Sequence, residues 1–201
     1  MRKNILLLIF VIFCGNQVFS QNSTLLKNGN PELRGYKTKN FFQLTLQGGF
    51  MDPLSSYFVD NYFTSASFGF DLAYRVNTEV ALYTEIKYDL LSLKDTLGPT
   101  TAYLESTVGV RFYFRPKCYR SSFFIEAGIG PYIFMQSSGV SPTRAYDKQT
   151  TFRVGGNAGI GGELVLTNSL FITLKSKVNS IFEPGGSTTF VSGIGGLTIR
   201  F

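Results

Sequence analysis

Between Phe41 and Phe201 the chain alternates apolar and polar residues in eight separate runs: 41–50, 67–76, 80–90, 103–114, 123–134, 152–164, 170–179 and 191–201. A period of two belongs to β-strands whose two faces meet different surroundings. In the third run, for example, Val80, Leu82, Thr84, Ile86, Tyr88 and Leu90 stand opposite Ala81, Tyr83, Glu85, Lys87 and Asp89. No position on the apolar side of any run is charged, although 16% of the chain is. The connections alternate too. Long polar stretches (51–66, 91–102, 135–151, 180–190) follow the odd runs, and brief turns (77–79, 115–122, 165–169) follow the even ones. The first brief turn needs an odd number of residues to keep Val76 and Val80 on one face, which assigns Glu79 to it.

An even number of strands of about ten residues, joined by short turns on one side and longer loops on the other, is the pattern of a transmembrane β-barrel. Hydrocarbon tolerates only helices or closed sheets, because every backbone polar group needs a partner. The expected fold is therefore all-β, an eight-stranded antiparallel up-and-down transmembrane barrel over residues 41–201. Over that span the chain resembles the small eight-stranded bacterial outer-membrane proteins, the OmpA-like, OmpX-like and OmpW-like barrels. The closing Leu197-Thr198-Ile199-Arg200-Phe201 is similar to the sorting signal read by that family's assembly machinery. The resemblance implies that Leu197, Ile199 and Phe201 address the chain to barrel assembly, and that outer-membrane lipid surrounds it. A lipocalin-type soluble barrel has the same period with the faces reversed. Scarce charge, the terminal Phe and the lack of a disulfide brace favour the membrane orientation.

The first twenty residues read as a cleaved signal peptide: Arg2 and Lys3, then an apolar run from Ile5 to Cys14, then a cleavage site between Ser20 and Gln21. The run is far short of the roughly 20 residues that a bilayer span needs, and Phe13 before Cys14 does not suit a lipoprotein signal. Cleavage removes Cys14 and two of the bases behind the formal charge of +6, leaving Cys118 unable to form an internal disulfide. Residues 21–40 are polar, without periodicity, and read as a flexible segment. The export signal and the barrel together predict the bacterial outer membrane.

With apolar residues facing lipid, thirteen charges point inward: Asp71, Glu85, Asp89, Glu105, Glu126 and Glu163 with Arg75, Lys87, Arg111, Arg153, Lys175, Lys177 and Arg200. An eight-stranded barrel has room inside for little beyond side chains. Near balance of sign favours an ion-pair plug over an ion path, because unpaired buried charge is costly. Inward glycines at 128, 130, 155, 159 and 161 are expected to make room for large side chains.

The chain has no His, which excludes Ser-His-Asp triads, Cys-His pairs and His-bearing zinc sites. The enzymatic outer-membrane barrel families rely on a His, so the resemblance implies no catalysis here. No catalytic residue, cofactor, metal site or nucleic-acid partner is expected. The glycine clusters at 159–162 and 193–196 do not open a helix after a strand, as a phosphate cradle requires. Arg115, Lys117 and Arg120 crowd one short turn around Cys118 and read as a solvated turn, or as a surface that docks an acidic partner or lipid phosphates of the inner leaflet. Tyr57, Phe58, Tyr62 and Phe63 read as an extension of the first hairpin, an aromatic girdle, an apolar mouth for small lipophilic ligands, or an adhesive patch. The expected role is structural or interactive, through four outer loops. The alternatives are a narrow pore or gate for small apolar molecules, and a barrel component of an envelope machine such as a conjugative-transfer apparatus.

Overall fold

A chain whose strands have one apolar and one charged face can put either face outward, and the exposure of individual side chains decides between them. The structure is a computed structural model that describes residues 41–77, 79–94, 99–114, 121–140, 145–167 and 169–201. The signal segment with Ser20 and Gln21, the 21–40 segment, and the basic turn around Cys118 lie outside the described residues. Eight long strands form the wall: β1 (Phe41–Pro53), β2 (Ser65–Arg75), β3 (Val80–Leu93), β4 (Thr101–Phe114), β5 (Ser121–Gln136), β6 (Gln149–Val165), β7 (Leu170–Glu183) and β8 (Gly186–Arg200). Each pairs antiparallel with its neighbours in sequence, and β1 also pairs with β8 from Gln43↔Arg200 to Pro53↔Phe190, so the sheet closes without an edge.

Outside, Leu46, Phe68, Leu82, Val108, Ile129, Ile160 and Leu174 are exposed, while inside Asp71, Glu85, Lys87, Arg111 and Lys177 are almost fully buried. Leu82 is 51% exposed and Glu85 1%. That inversion suits a hydrocarbon surround and no aqueous one. Aromatic residues gather at both rims of the apolar band. Phe42 meets Tyr74 and Phe201 near the chain ends, and Phe68 meets Tyr88 toward the other side.

Two described turns on the side of the chain ends are built alike. Tyr74 pairs with Leu82 and Arg75 with Ala81, so Glu79 belongs to the turn as parity requires. There Asn77 Oδ1 accepts from the backbone N–H groups of Glu79 and Val80, both at 2.8 Å. In the turn after β6, Thr167 Oγ1 accepts from Ser169 and Leu170 in the same way. Short polar side chains thus replace the backbone partners that a tight turn loses.

The opposite end departs from the expected four loops. The stretch 180–190 is not a loop: Ser180 to Glu183 pair with Gly186 to Thr189, leaving only Pro184 and Gly185 to turn. Gly185 has φ +89°, which a Pro-Gly turn of type II requires at its second central position. Polarity suggested a loop here because these residues project beyond the apolar belt, where a strand needs no greasy face.

If the belt contacts lipid, Leu174→Arg costs about 2–4 kcal/mol in urea unfolding of the protein folded into phospholipid vesicles. A water-exposed face would tolerate the same change within about 0.5 kcal/mol.

Candidate functional site in the barrel lumen

Because inward positions recur at every second residue, each strand sends charged or polar groups to successive heights, and the register stacks them into tiers. The lowest tier, near the chain ends, centres on Glu163. Its carboxylate accepts from Tyr113 Oη at 2.8 Å and Gln43 Nε2 at 3.3 Å, and pairs with Arg200 Nη2 at 3.0 Å and Arg75 Nη2 at 3.4 Å. The Arg75 guanidinium lies 3.1 Å from the centre of the Tyr113 ring, and that of Arg200 lies 3.6 Å from the centre of Phe171.

The middle tier alternates three carboxylates with three cations. Arg111 Nη2 reaches Asp71 Oδ2 at 2.6 Å and Glu126 Oε2 at 2.7 Å. Lys175 Nζ meets Glu85 Oε2 at 2.7 Å and Asp71 Oδ2 at 3.1 Å, while Lys177 Nζ meets Glu85 at 2.8 Å and Glu126 Oε1 at 3.2 Å. These groups come from β2, β3, β4, β5 and β7, so the bonds between Glu85 and the two lysines cross the barrel. Glycines admit the bulk: a Cβ at Gly128 would stand 2.5 Å from Tyr83 Oη, and one at Gly155 2.7 Å from the Tyr132 ring.

The upper tier holds Lys87, Asp89 and Glu105 with Ser192, Asn179 and Asn157. Above it the lumen turns apolar. Met51, Phe58, Tyr62, Leu91, Tyr103, Tyr132, Ile181 and Phe190 form one buried cluster. Phe58 is supplied by a short helix, α1 (Ser56–Asn61), that lies over the mouth. The Phe58 ring sits 6.1 Å from Tyr103 and 6.3 Å from Phe190. Thr189 O accepts from the N–H groups of Leu54 and Ser55, and Tyr62–Phe63 pair with Ser92–Leu93 of β3, so the segment is held from both sides.

Of the thirteen charges expected inside, eleven are buried and Arg200 is partly so, at the lower rim. Arg153 stands apart: it is half-buried near the upper rim, and Nη1 donates to the carbonyl of Phe152. β6 runs several residues past the network, and Arg153 rides on that extension. The aromatic loop residues also differ from expectation. Phe58 and Tyr62 turn inward as a cap, and Phe63 stays exposed. Periodicity carried no signal for this, because the chain there leaves the strand. Leu197 and Ile199 face outward at the closing strand, with Thr198 between them facing in.

No protein-family model and no curated protein matches the chain. Solved structures do. Neisserial surface protein A (NspA) superposes with a TM-score of 0.63 at 10% identity, covering 82% of this chain and 100% of that one. The N-terminal β-barrel domain of Pseudomonas aeruginosa OprF gives 0.51 at 13%, covering 81% and 98%. Ail, the attachment invasion locus protein of Yersinia pestis, gives 0.51 at 12%, covering 81% and 97%. The fold of this chain is that of the small eight-stranded outer-membrane barrels.

Breaking the middle tier on one side strands charge in a dry interior, which costs about 3–5 kcal/mol. Arg111→Met is expected to lose that much in equilibrium unfolding. Adding Asp71→Asn alone, which returns the tier to two carboxylates (Glu85, Glu126) against two lysines (Lys175, Lys177), is expected to restore most of it.

Proposed function

We propose that this chain is a non-enzymatic protein of the bacterial outer membrane, a closed barrel that works structurally and through its outer rim. On this reading residues 1–20 direct export and are cleaved between Ser20 and Gln21. Leu197, Ile199 and Phe201 then present the sorting signal to the barrel-assembly machinery.

One observation carries the reading. The lumen is filled along its length, by the Glu163 tier, the ring of six alternating charges, the Lys87 tier and the Phe58 cap. Ion conduction or passage of an apolar molecule would require Glu85 to part from Lys175 and Lys177 in a low-dielectric interior, where parting is expensive. The same filling supports a rigid platform. Part of its outer side is offered to partners, with Lys94, Phe63 and Lys148 exposed. Among barrels of this fold, Ail is named for attachment and invasion and NspA is a surface protein, which fits display rather than transport. The absence of His from the sequence supports the non-enzymatic part.

In planar bilayers bathed in potassium chloride the purified protein is expected to be electrically silent, and recurrent stepwise conductance would refute the plug. On intact cells, added trypsin is expected to cut after Lys94 or Lys148 while the strands survive. Cleavage only after the outer membrane is broken would place these loops on the wrong side.

A further inference from the structure

The upper tier of the lumen holds more acceptors than its one cation can serve. Lys87 Nζ has three protons to give. They face Ser192 Oγ at 2.9 Å, Glu105 Oε2 at 3.1 Å and Asp89 Oδ1 at 3.4 Å. Asp89 and Glu105 are 0% and 2% exposed. Asp89 Oδ2 and Glu105 Oε1 have no hydrogen-bond partner among the described residues, and neither does the Ser67 hydroxyl or either end of the Gln47 amide. Gln47 and Ser67 are themselves more than nine-tenths buried.

The register gathers these groups on one wall. Ser67 is directly across from Asp89, Lys87 is across from Glu105, and Gln47 shares their row with Gly69 between it and Lys87. Opposed residues have Cβ atoms about 5 Å apart and diagonal ones about 7 Å, which sets Ser67 beside Asp89, Asp89 diagonal to Glu105 and Gln47 diagonal to Ser67 on one stretch of the inner wall.

Charge completes the case. The middle tier sets Asp71, Glu85 and Glu126 against Arg111, Lys175 and Lys177 and is balanced. The upper tier sets two carboxyl groups against Lys87 alone, which leaves one negative charge over whenever both are ionised. We propose that the upper tier, beneath the aromatic cap, binds one alkali cation, sodium or potassium, through Asp89, Glu105, Ser67 and Gln47. The donors are all oxygens, which suit hard cations. The excess of a single charge selects a monovalent ion, since a divalent one would overshoot beside Lys87. The cap lies directly above, with the Phe190 ring 5.6 Å from Lys87 Nζ, so the ion is held and not conducted. The site is separate from the plug reading: a silent bilayer leaves it open, and its loss leaves the middle tier intact.

The test compares stability in different salts. The protein is folded into phosphatidylcholine vesicles in sodium, potassium or choline chloride at one ionic strength, and its urea midpoint is read. An ion that binds only the folded barrel raises stability as the logarithm of its concentration above Kd. The midpoint is expected to be higher in sodium or potassium than in choline, and to climb as either replaces choline. Asp89→Asn and Glu105→Gln each remove the excess charge and are expected to abolish the climb while the barrel keeps its faster mobility on unheated gels. Should both fail to fold, Ser67→Ala decides without altering charge: the cation concentration for half the effect is expected to rise about tenfold. Equal midpoints in all three salts would overturn the proposal, including the case in which pH alone moves them because the carboxylate pair takes up a proton. So would a climb that persists unchanged in Ser67→Ala or in both charge variants.

Discussion

A backbone that crosses hydrocarbon has nowhere to send an unpaired N–H or C=O, and the pairing of β1 with β8 is the interaction on which the rest of this molecule rests. Closure lets eight strands stand in lipid with a greasy exterior. It also creates an interior cut off from bulk solvent and from lipid. Whatever side chains alternate with the apolar ones must then find partners among themselves. The tiers of ion pairs are thus a consequence of closure, and in the middle tier every charged group meets one of opposite sign.

The lumen is nevertheless not uniform. Arginine does the bridging where carboxylates must be joined sideways, as Arg111 joins Asp71 and Glu126, because its planar fork offers several donors in fixed directions. Lysines on β7 reach across the diameter to Glu85. Toward the outer end the chemistry changes from charge to aromatic packing, and α1 supplies Phe58 to finish the seal. The acceptor-rich tier lies between these two kinds of closure.

Much of this could be read before any coordinates. Alternation marked the eight runs, the parity of Val76 and Val80 placed Glu79 in its turn, and the uncharged side of each run pointed to lipid. The misreadings share one cause. Residues 180–190 read as a loop, Arg153 as a member of the network, and Phe58 and Tyr62 as a hairpin extension, a girdle, an apolar mouth or an adhesive patch. All lie toward the outer end of the barrel, where the lumen changes from charge to aromatic packing and a strand's period no longer tells what its inward side chains will meet.

Local pattern therefore determined which residues form strands and which face is apolar, because a period of two is a property of each strand alone. For the same reason it placed eleven of the thirteen listed charges inside. Which carboxylate meets which cation was decided only by the closed sheet, since Glu85 and Lys177 are distant in sequence and meet across a diameter that exists only after β1 finds β8. The same holds for the Phe58 cap, whose partners Tyr103 and Phe190 come from opposite parts of the chain and become neighbours only around a finished rim.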